Sequence, residues 1–408
     1  MQIIFPELIE TEELVIMRLI LLCCLFSLSS CWMWRAYKIR NLRLTDHQKL
    51  PSVSIERSDE PFYFHNPHNK SIYKEFETTI DSLIANTETA AFLVIRNDSL
   101  IYEKYFMRFQ SNSILPSNSM AKSFTGTLVG IALHEGKIKS VNEPITNYLP
   151  EIGRRDARFH KITIQHLLDM RSGLDFNEGS YNLRDDAVKL GFKRDIVKHL
   201  LKAKIKEDPG KFKYQSINTQ LLGLIVERAT QEKLQSYFQE KLWKAIHAEH
   251  DATWNVDSEK RKHLITSAGL NATPVDFAKL GRLYLKKGNI LNTQIVGQEW
   301  IKTVASADTL EKYEGYKYQW WNKRGTEYYK DSVAEISKKR VTKKRPKISR
   351  VDHSYFLNVR SDAFNAFGFF EKIIYVNPQK NLIIVRMGRG WPDQQSFTHS
   401  IYELGEKF

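Results

Sequence analysis

Asn118-Ser119-Met120-Ala121-Lys122-Ser123-Phe124-Thr125 leads straight into the apolar run Leu128-Val129-Gly130-Ile131-Ala132-Leu133. Read as the entry to a buried helix, this stretch sets Ser119 and Lys122 on one face near the helix N-terminus. A serine hydroxyl is a poor nucleophile at neutral pH until a base takes its proton. Lysine is such a base only when burial or a neighbouring cation lowers its pKa. The segment therefore reads as an activated serine. The spacing Ser-x-x-Lys is cheap, however. Ser71-Ile72-Tyr73-Lys74 repeats it among Asn66, His68, Asn69 and Glu75, where it reads as surface. The competing explanation of Ser119 is a helix N-cap with Lys122 in solvent, so other motifs must decide.

Working outward, Lys74 to Ala85 places Phe76, Ile80, Leu83 and Ile84 at helical spacing. Ala91 to Ile95, the turn Asn97-Asp98-Ser99 and Leu100 to Tyr102 predict a strand hairpin. From about 119 to 300 the pattern is helical, punctuated by Gly136, Gly173, Pro209-Gly210, Gly269 and Gly288. Lys372 to Val376 and Leu382 to Met387 then predict two strands around Asn377-Pro378-Gln379-Lys380-Asn381, and Gln394 to Phe408 a last helix with Phe397, Ile401 and Leu404 on one face. Strands at both chain ends enclosing a helical middle predict an α/β (α+β) fold: one antiparallel sheet built from both ends, flanking helices and an all-helical insertion over about 120–300.

About ninety residues after Lys122 come Pro209-Gly210-Lys211-Phe212-Lys213-Tyr214-Gln215-Ser216-Ile217-Asn218 and then the apolar Leu221 to Val226. Together, Ser119-x-x-Lys122, Tyr214-x-Ser216, Gly136-Lys137-Ile138, Ile164 to Leu174 and the late strand pair resemble the penicillin-recognising serine hydrolases. Within them the chain is similar to the branch of class C β-lactamases, esterases and 6-aminohexanoate-dimer hydrolases, over roughly residues 73–408. The resemblance implies an acyl-enzyme on Ser119, with Lys122 and Tyr214 moving protons to and from it. A lysine ammonium beside the Tyr214 phenol is expected to favour phenolate character.

The third motif departs from that pattern. Where the β-lactam-recognising members carry Lys-Thr-Gly or His-x-Gly, this chain has Ala366-Phe367-Gly368. Gly368 is expected to let a substrate approach the strand, and the Phe369 N–H to join that of Ser119 in an oxyanion hole. Losing the cationic side chain argues against a dedicated grip on a β-lactam carboxylate and favours a small or peptide-like carboxylic ester or non-cyclic amide. A β-lactamase or DD-peptidase, and a catalytically silent binding protein, are the alternatives. Ser216 falls where many relatives place asparagine, and Asn218 is expected to supply the missing amide. Trp321, beside Trp320, walls a pocket or joins the core. Asp175 and Asn177 are read at the site entrance and His166 as structural. The histidines show no zinc-ligand spacing, and no metal or other cofactor is called for.

The chain has 408 residues, and its 42% hydrophobic content is enough for a substantial core. The net charge of +14 is partly local, concentrated from Lys338 to Arg350 in what reads as an exposed insertion. With no accompanying recognition motif, nucleic acid is not an expected partner. Cys23, Cys24 and Cys31 all fall within the N-terminal apolar stretch, so the rest of the chain has neither a disulfide nor a cysteine nucleophile. Met17-Arg18, the apolar Leu19 to Phe26 and Leu28-Ser29-Ser30-Cys31 follow the plan of a secretion signal, and the last four residues resemble a bacterial lipobox, with Cys31 acylated. The expected organisation is an upstream extension over 1–16, a signal or anchor over 17–31, a linker over 32–72 and the hydrolase domain over 73–408. That places the body outside the cytoplasmic membrane, in the periplasm. The alternative is an uncleaved anchor, with Arg35, Lys38, Arg40 and Arg43 favouring a cytoplasmic body.

Overall fold

The computed structural model describes residues 43–67, 74–179, 185–306, 315–322, 325–329, 347–348, 355–359, 363–390 and 394–408. The signal and lipobox reading, Ser71, and the basic run apart from the backbone at Lys347 and Ile348 lie outside the described residues.

Seven antiparallel strands form the central sheet, in the order Ser99–Tyr105, Thr89–Arg96, Leu382–Gly388, Lys372–Asn377, Phe364–Gly368, Trp320–Trp321 and Tyr316–Lys317. The chain ends meet where Thr89–Arg96 pairs with Leu382–Gly388. The hairpin at its edge turns on Asn97 and Asp98, both at positive φ, the geometry that keeps two antiparallel strands in twist. Along Thr89–Arg96 the side chains alternate between two cores. Phe92 and Val94 pack under the helices Lys74–Ile84 and Gln394–Lys407, while Ala91, Leu93 and Ile95 face the main core. Such a strand, buried on both faces, reads as a continuous apolar run.

The helix predicted to carry the nucleophile spans Ala121–His134 and is buried almost throughout. Its Phe124 ring meets Phe238, Trp243 and Phe277, and burying a ring of that size stabilises by about 1.5–3 kcal/mol. Gly130 is required there, because a Cβ would lie 2.7 Å from the Trp300 ring.

Two expectations need correction. The middle of the chain is not all-helical: Ala252–Asn255 and Leu270–Ala272 join Ser52–Ile55 and Leu115–Pro116 in a second, four-stranded sheet, and Asn289–Ile290 pairs with Thr293–Gln294. The supposed linker is also structured from residue 43 to 67. Ser52–Ile55 pairs along its length with Ala252–Asn255, burying Val53 and Ile55 while Ser52 and Ser54 face outward. Ser58 and Phe62 donate backbone hydrogen bonds to Ala248 and His247. The polar composition concealed a short alternating strand whose apolar positions fill the core.

Candidate active site

Ser119 sits in a single 3-10 turn, Asn118–Met120, immediately before the long helix. Asn118 has φ +48°, left-handed backbone that asparagine tolerates better than most residues. Its side-chain amide donates to the Phe369 carbonyl at 3.1 Å, tying the turn to the strand end opposite. The helix N-cap is Met120, with no side-chain cap, so Ser119 does not serve as the cap.

Lys122 is 1% exposed. Its Nζ donates to Ser119 Oγ at 3.0 Å and to the Ser267 carbonyl at 3.0 Å. Burial lowers its pKa to about 8, against a smaller upward pull from Glu178. The Lys122 ammonium also lies 4.9 Å from the centroid of the Tyr214 ring. Serine, lysine and tyrosine, separated by up to 95 residues in sequence, therefore converge on one point.

Tyr214 is fixed by its neighbours. Lys213 N–H donates to the Met170 carbonyl, Lys213 Nζ to that of Phe176, and Gln215 Nε2 to those of Leu174 and Phe176. Trp321 stacks on the Tyr214 ring at 5.5 Å, and Tyr316 meets it edge-on at 5.9 Å. The phenolate expectation is reversed here. Burial and then Glu178 push the Tyr214 pKa up, and only a hydrogen bond with Ser119 pulls it down, so the phenol holds its proton. The low-dielectric setting that leaves Lys122 neutral more often, and so free to take a proton, makes Tyr214 a weaker acid.

A cleft of about 280 Å³ opens at Ser119 and is bordered by Glu178, Ser216, Ser267, Asn271, Phe369 and Lys372, among others. Of the residues predicted for substrate contact, Ser216 borders it, and its hydroxyl donates to Glu178 at 2.7 Å. Asn218 does not serve as the expected amide. It is fully buried, accepting from Ser172 Oγ at 2.6 Å and donating to Met170 Sδ at 3.4 Å, because the helix that starts at Ser216 turns the position two residues further on inward. Gly368 has a different role from the expected one: a Cβ there would collide with the Ser117 carbonyl and lie 3.2 Å from Met120 Cγ. What approaches this strand closely is the nucleophile turn. The tryptophan pair divides, with Trp321 against Tyr214 and Trp320 in the core, where its Nε1 donates to the Tyr284 hydroxyl.

Glu178 was missed by three residues from Asp175 and one from Asn177. Its carboxylate accepts from both N–H and Oγ of Ser216 and so caps the helix Ser216–Thr230. The Ser267 carbonyl was missed altogether, since a backbone acceptor in a loop has no residue-type signal. His166 is structural, closing a capping box with Thr163. Asp195, Asp257 and His263 bring ligand atoms within 4.8 Å of one another. Asp257 is already engaged by the backbone N–H groups of Ile196 and Ser258 and by His263, and Asp195 by Arg261.

An antiparallel sheet made from both chain ends, with a serine at the head of a buried helix and a lysine and a tyrosine converging on it, is the architecture of a β-lactamase/transpeptidase-like serine hydrolase. The Beta-lactamase family model matches residues 76–404, and the chain belongs to that family. It is 28% identical over 275 residues to the 6-aminohexanoate-dimer hydrolase of Paenarthrobacter ureafaciens, covering 60% of this chain and 68% of that protein. A provisionally assigned 6-aminohexanoate-dimer hydrolase from Bacillus anthracis superimposes with a TM-score of 0.69 at 22% identity, over 90% of this chain and 92% of that one. A class C β-lactamase in complex with cefoxitin gives 0.58 at 16% identity, over 83% of this chain and all of that one.

Proposed function

We propose that this serine hydrolase opens a carboxylic ester or a non-cyclic amide through an acyl-enzyme on Ser119. The observation that carries the reading is the bond from Lys122 Nζ to Ser119 Oγ on a lysine held to about 8 by burial. In its neutral form Lys122 takes the hydroxyl proton as Oγ bonds to the substrate carbonyl carbon. The oxyanion is received by the backbone N–H groups of Ser119 and Phe369. Tyr214, a phenol at neutral pH, gives its proton to the departing oxygen or nitrogen as the acyl bond breaks, and Lys122 returns a proton to it. Water then enters by the reverse route and regenerates free Ser119. Mutagenesis elsewhere assigns ~2.7–4 kcal/mol to one oxyanion-hole donor. The likeness to the 6-aminohexanoate-dimer hydrolase of Paenarthrobacter ureafaciens supports an amide or ester over a strained lactam. A panel of a nitrophenyl ester, a short linear anilide and nitrocefin, each against wild type and Ser119→Ala, tests this. Serine-dependent turnover of nitrocefin alone would replace the reading with β-lactamase activity. Turnover of none would favour a silent binding protein.

We further propose that the enzyme is held at the bacterial envelope, tethered through acylated Cys31 with its body in the periplasm. Its support is the order of basic start, apolar run and Leu28-Ser29-Ser30-Cys31. Among the described residues no helix is long and apolar enough to cross a membrane. Incorporation of a fatty-acid analogue should disappear in Cys31→Ser; unchanged incorporation would remove the tether.

A further inference from the structure

Lys372 is a cleft residue for which the chemistry above has no use. It opens the strand Lys372–Asn377 and pairs in register with Gly368, so the side-chain positions of the two share a face of the sheet. That face meets the nucleophile turn, since a Cβ on Gly368 would strike the Ser117 carbonyl. Lys372 is 1% exposed and borders the same cleft as Ser119. Among the described residues its ammonium has no hydrogen-bond or ion-pair partner, and it lies 5.8 Å from the centroid of the Phe370 ring.

Arg386, one strand further in, is by contrast fully engaged by Thr89 Oγ1 and the carbonyls of Phe370, Glu371 and Gly390. Also bordering the cleft is Asn271, whose Oδ1 is buried without a partner while its Nδ2 donates to Asn255 and Gly269. A buried ammonium with no hydrogen-bonded partner is costly, by several kcal/mol in typical cases, and Glu371 offsets this only through space. One that borders a cleft beside the nucleophile is relieved when a ligand brings the anion.

We propose that Lys372 is the anion-binding residue of the active-site cleft, and that the substrate is an ester or amide carrying a free carboxylate that Lys372 holds while the scissile carbonyl reaches Ser119. The cation absent from Ala366-Phe367-Gly368 thus enters from the paired strand, across a three-residue turn. The substrate class rests on the serine-hydrolase reading; the anion site does not.

Burial lowers the Lys372 pKa to about 7, with Arg386 pushing the same way and Glu371 opposing. His47, itself held low by burial, faces Lys372 from the N-terminal turn, next to Asp46. Only protonated Lys372 attracts a carboxylate, so anion affinity should fall as pH rises through about 7.

Glutarate titrated calorimetrically into Ser119→Ala tests the site without turnover. Binding at about pH 6 should weaken about tenfold or more in Ser119→Ala/Lys372→Met and also, with Lys372 intact, about threefold or more on raising the pH to about 7.5, before Lys122 has lost most of its charge. The second comparison holds even if the methionine variant misfolds. Equal affinity in both proteins, or no binding to Ser119→Ala at about pH 6, would overturn the site. Kinetically, two ester pairs matched except for one carboxylate, placed on the acyl chain or on the leaving group, should show at least one charged-over-neutral kcat/KM ratio above about ten. That ratio should collapse toward unity in Lys372→Met, and ratios near unity for both pairs in wild type would overturn the substrate class. If Ser119 proves inert to acylating probes while glutarate binding still depends on Lys372, the hydrolase reading fails and the anion site stands.

Discussion

Two buried lysines flank the turn that carries Ser119, and they differ in their partners rather than in their burial. Lys122 on the helix gives hydrogen bonds to Ser119 Oγ and the Ser267 carbonyl and is held to about 8. Lys372 on the sheet has neither kind of partner among the described residues and is held to about 7. Desolvation brings both toward neutrality, but it does not assign a task. A lysine whose nitrogen already touches the nucleophile is placed to move its proton. One that borders the cleft with its nitrogen unpartnered is placed to receive charge from outside. The helix side of the site is thus the reactive half, and the sheet side selects what reacts.

The largest way to break this division is Lys122→Arg, which keeps the charge but cannot give up its proton near neutral pH. Acylation should fall by roughly 10³-fold or more, as befits loss of a general base. An active arginine variant, in a stopped-flow acylation assay, would take the lysine out of the proton path. Tyr214→Phe keeps the stack on Trp321 and removes the proton donor. It should cost roughly 10²–10³ in kcat for a poor leaving group such as an amide, and less for a nitrophenyl ester, whose leaving group needs little protonation. Equal losses for both would mean that Tyr214 acts elsewhere.

Gly368→Ala probes where the halves meet. Its Cβ must displace the Ser117–Met120 turn, and a shift of about 1 Å in a nucleophile costs on the order of 10²-fold. Unaltered kcat/KM would show that the turn gives way freely. The smallest effect sharpens rather than breaks the comparison. Neutral Lys122 is the active form, so kcat/KM for an uncharged ester, which makes no use of Lys372, should rise with pH and level off above about 8. Glu178 raises the lysine's pKa, so Glu178→Gln should move that rise to lower pH, by about one unit or less. A shift to higher pH would contradict the stated charge arrangement. A profile in Lys372→Met that keeps its rise near 8 would confirm that the two lysines titrate separately.

Much of the fold was legible because strands buried on both faces and a long apolar helix leave continuous signals. Thr89–Arg96, Lys372–Asn377, Leu382–Gly388 and Ala121–His134 all lie within a residue or two of where periodicity placed them. Ser52–Ile55 was hidden because a four-residue strand offers only two apolar positions, and its neighbours are polar or proline. In the site, the reactive half was readable from residue types at fixed spacing. The selective half was not. Glu178, the Ser267 carbonyl and Lys372 owe their positions to loop paths and strand register, and the cation at Lys372 appears beside Gly368 only once the two strands are paired. Asn218 shows the converse error: the right residue type two positions from the motif, rotated into the core by the helix it enters.

The central claim is that Ser119 is the acylated nucleophile, and intact-protein mass spectrometry after exposure to a fluorophosphonate tests it most directly. Wild type should gain a single phosphonyl group, mapped by fragmentation to Ser119, and Ser119→Ala should gain none. Undiminished labelling of Ser119→Ala, or a label on another residue in the wild type, would contradict the account.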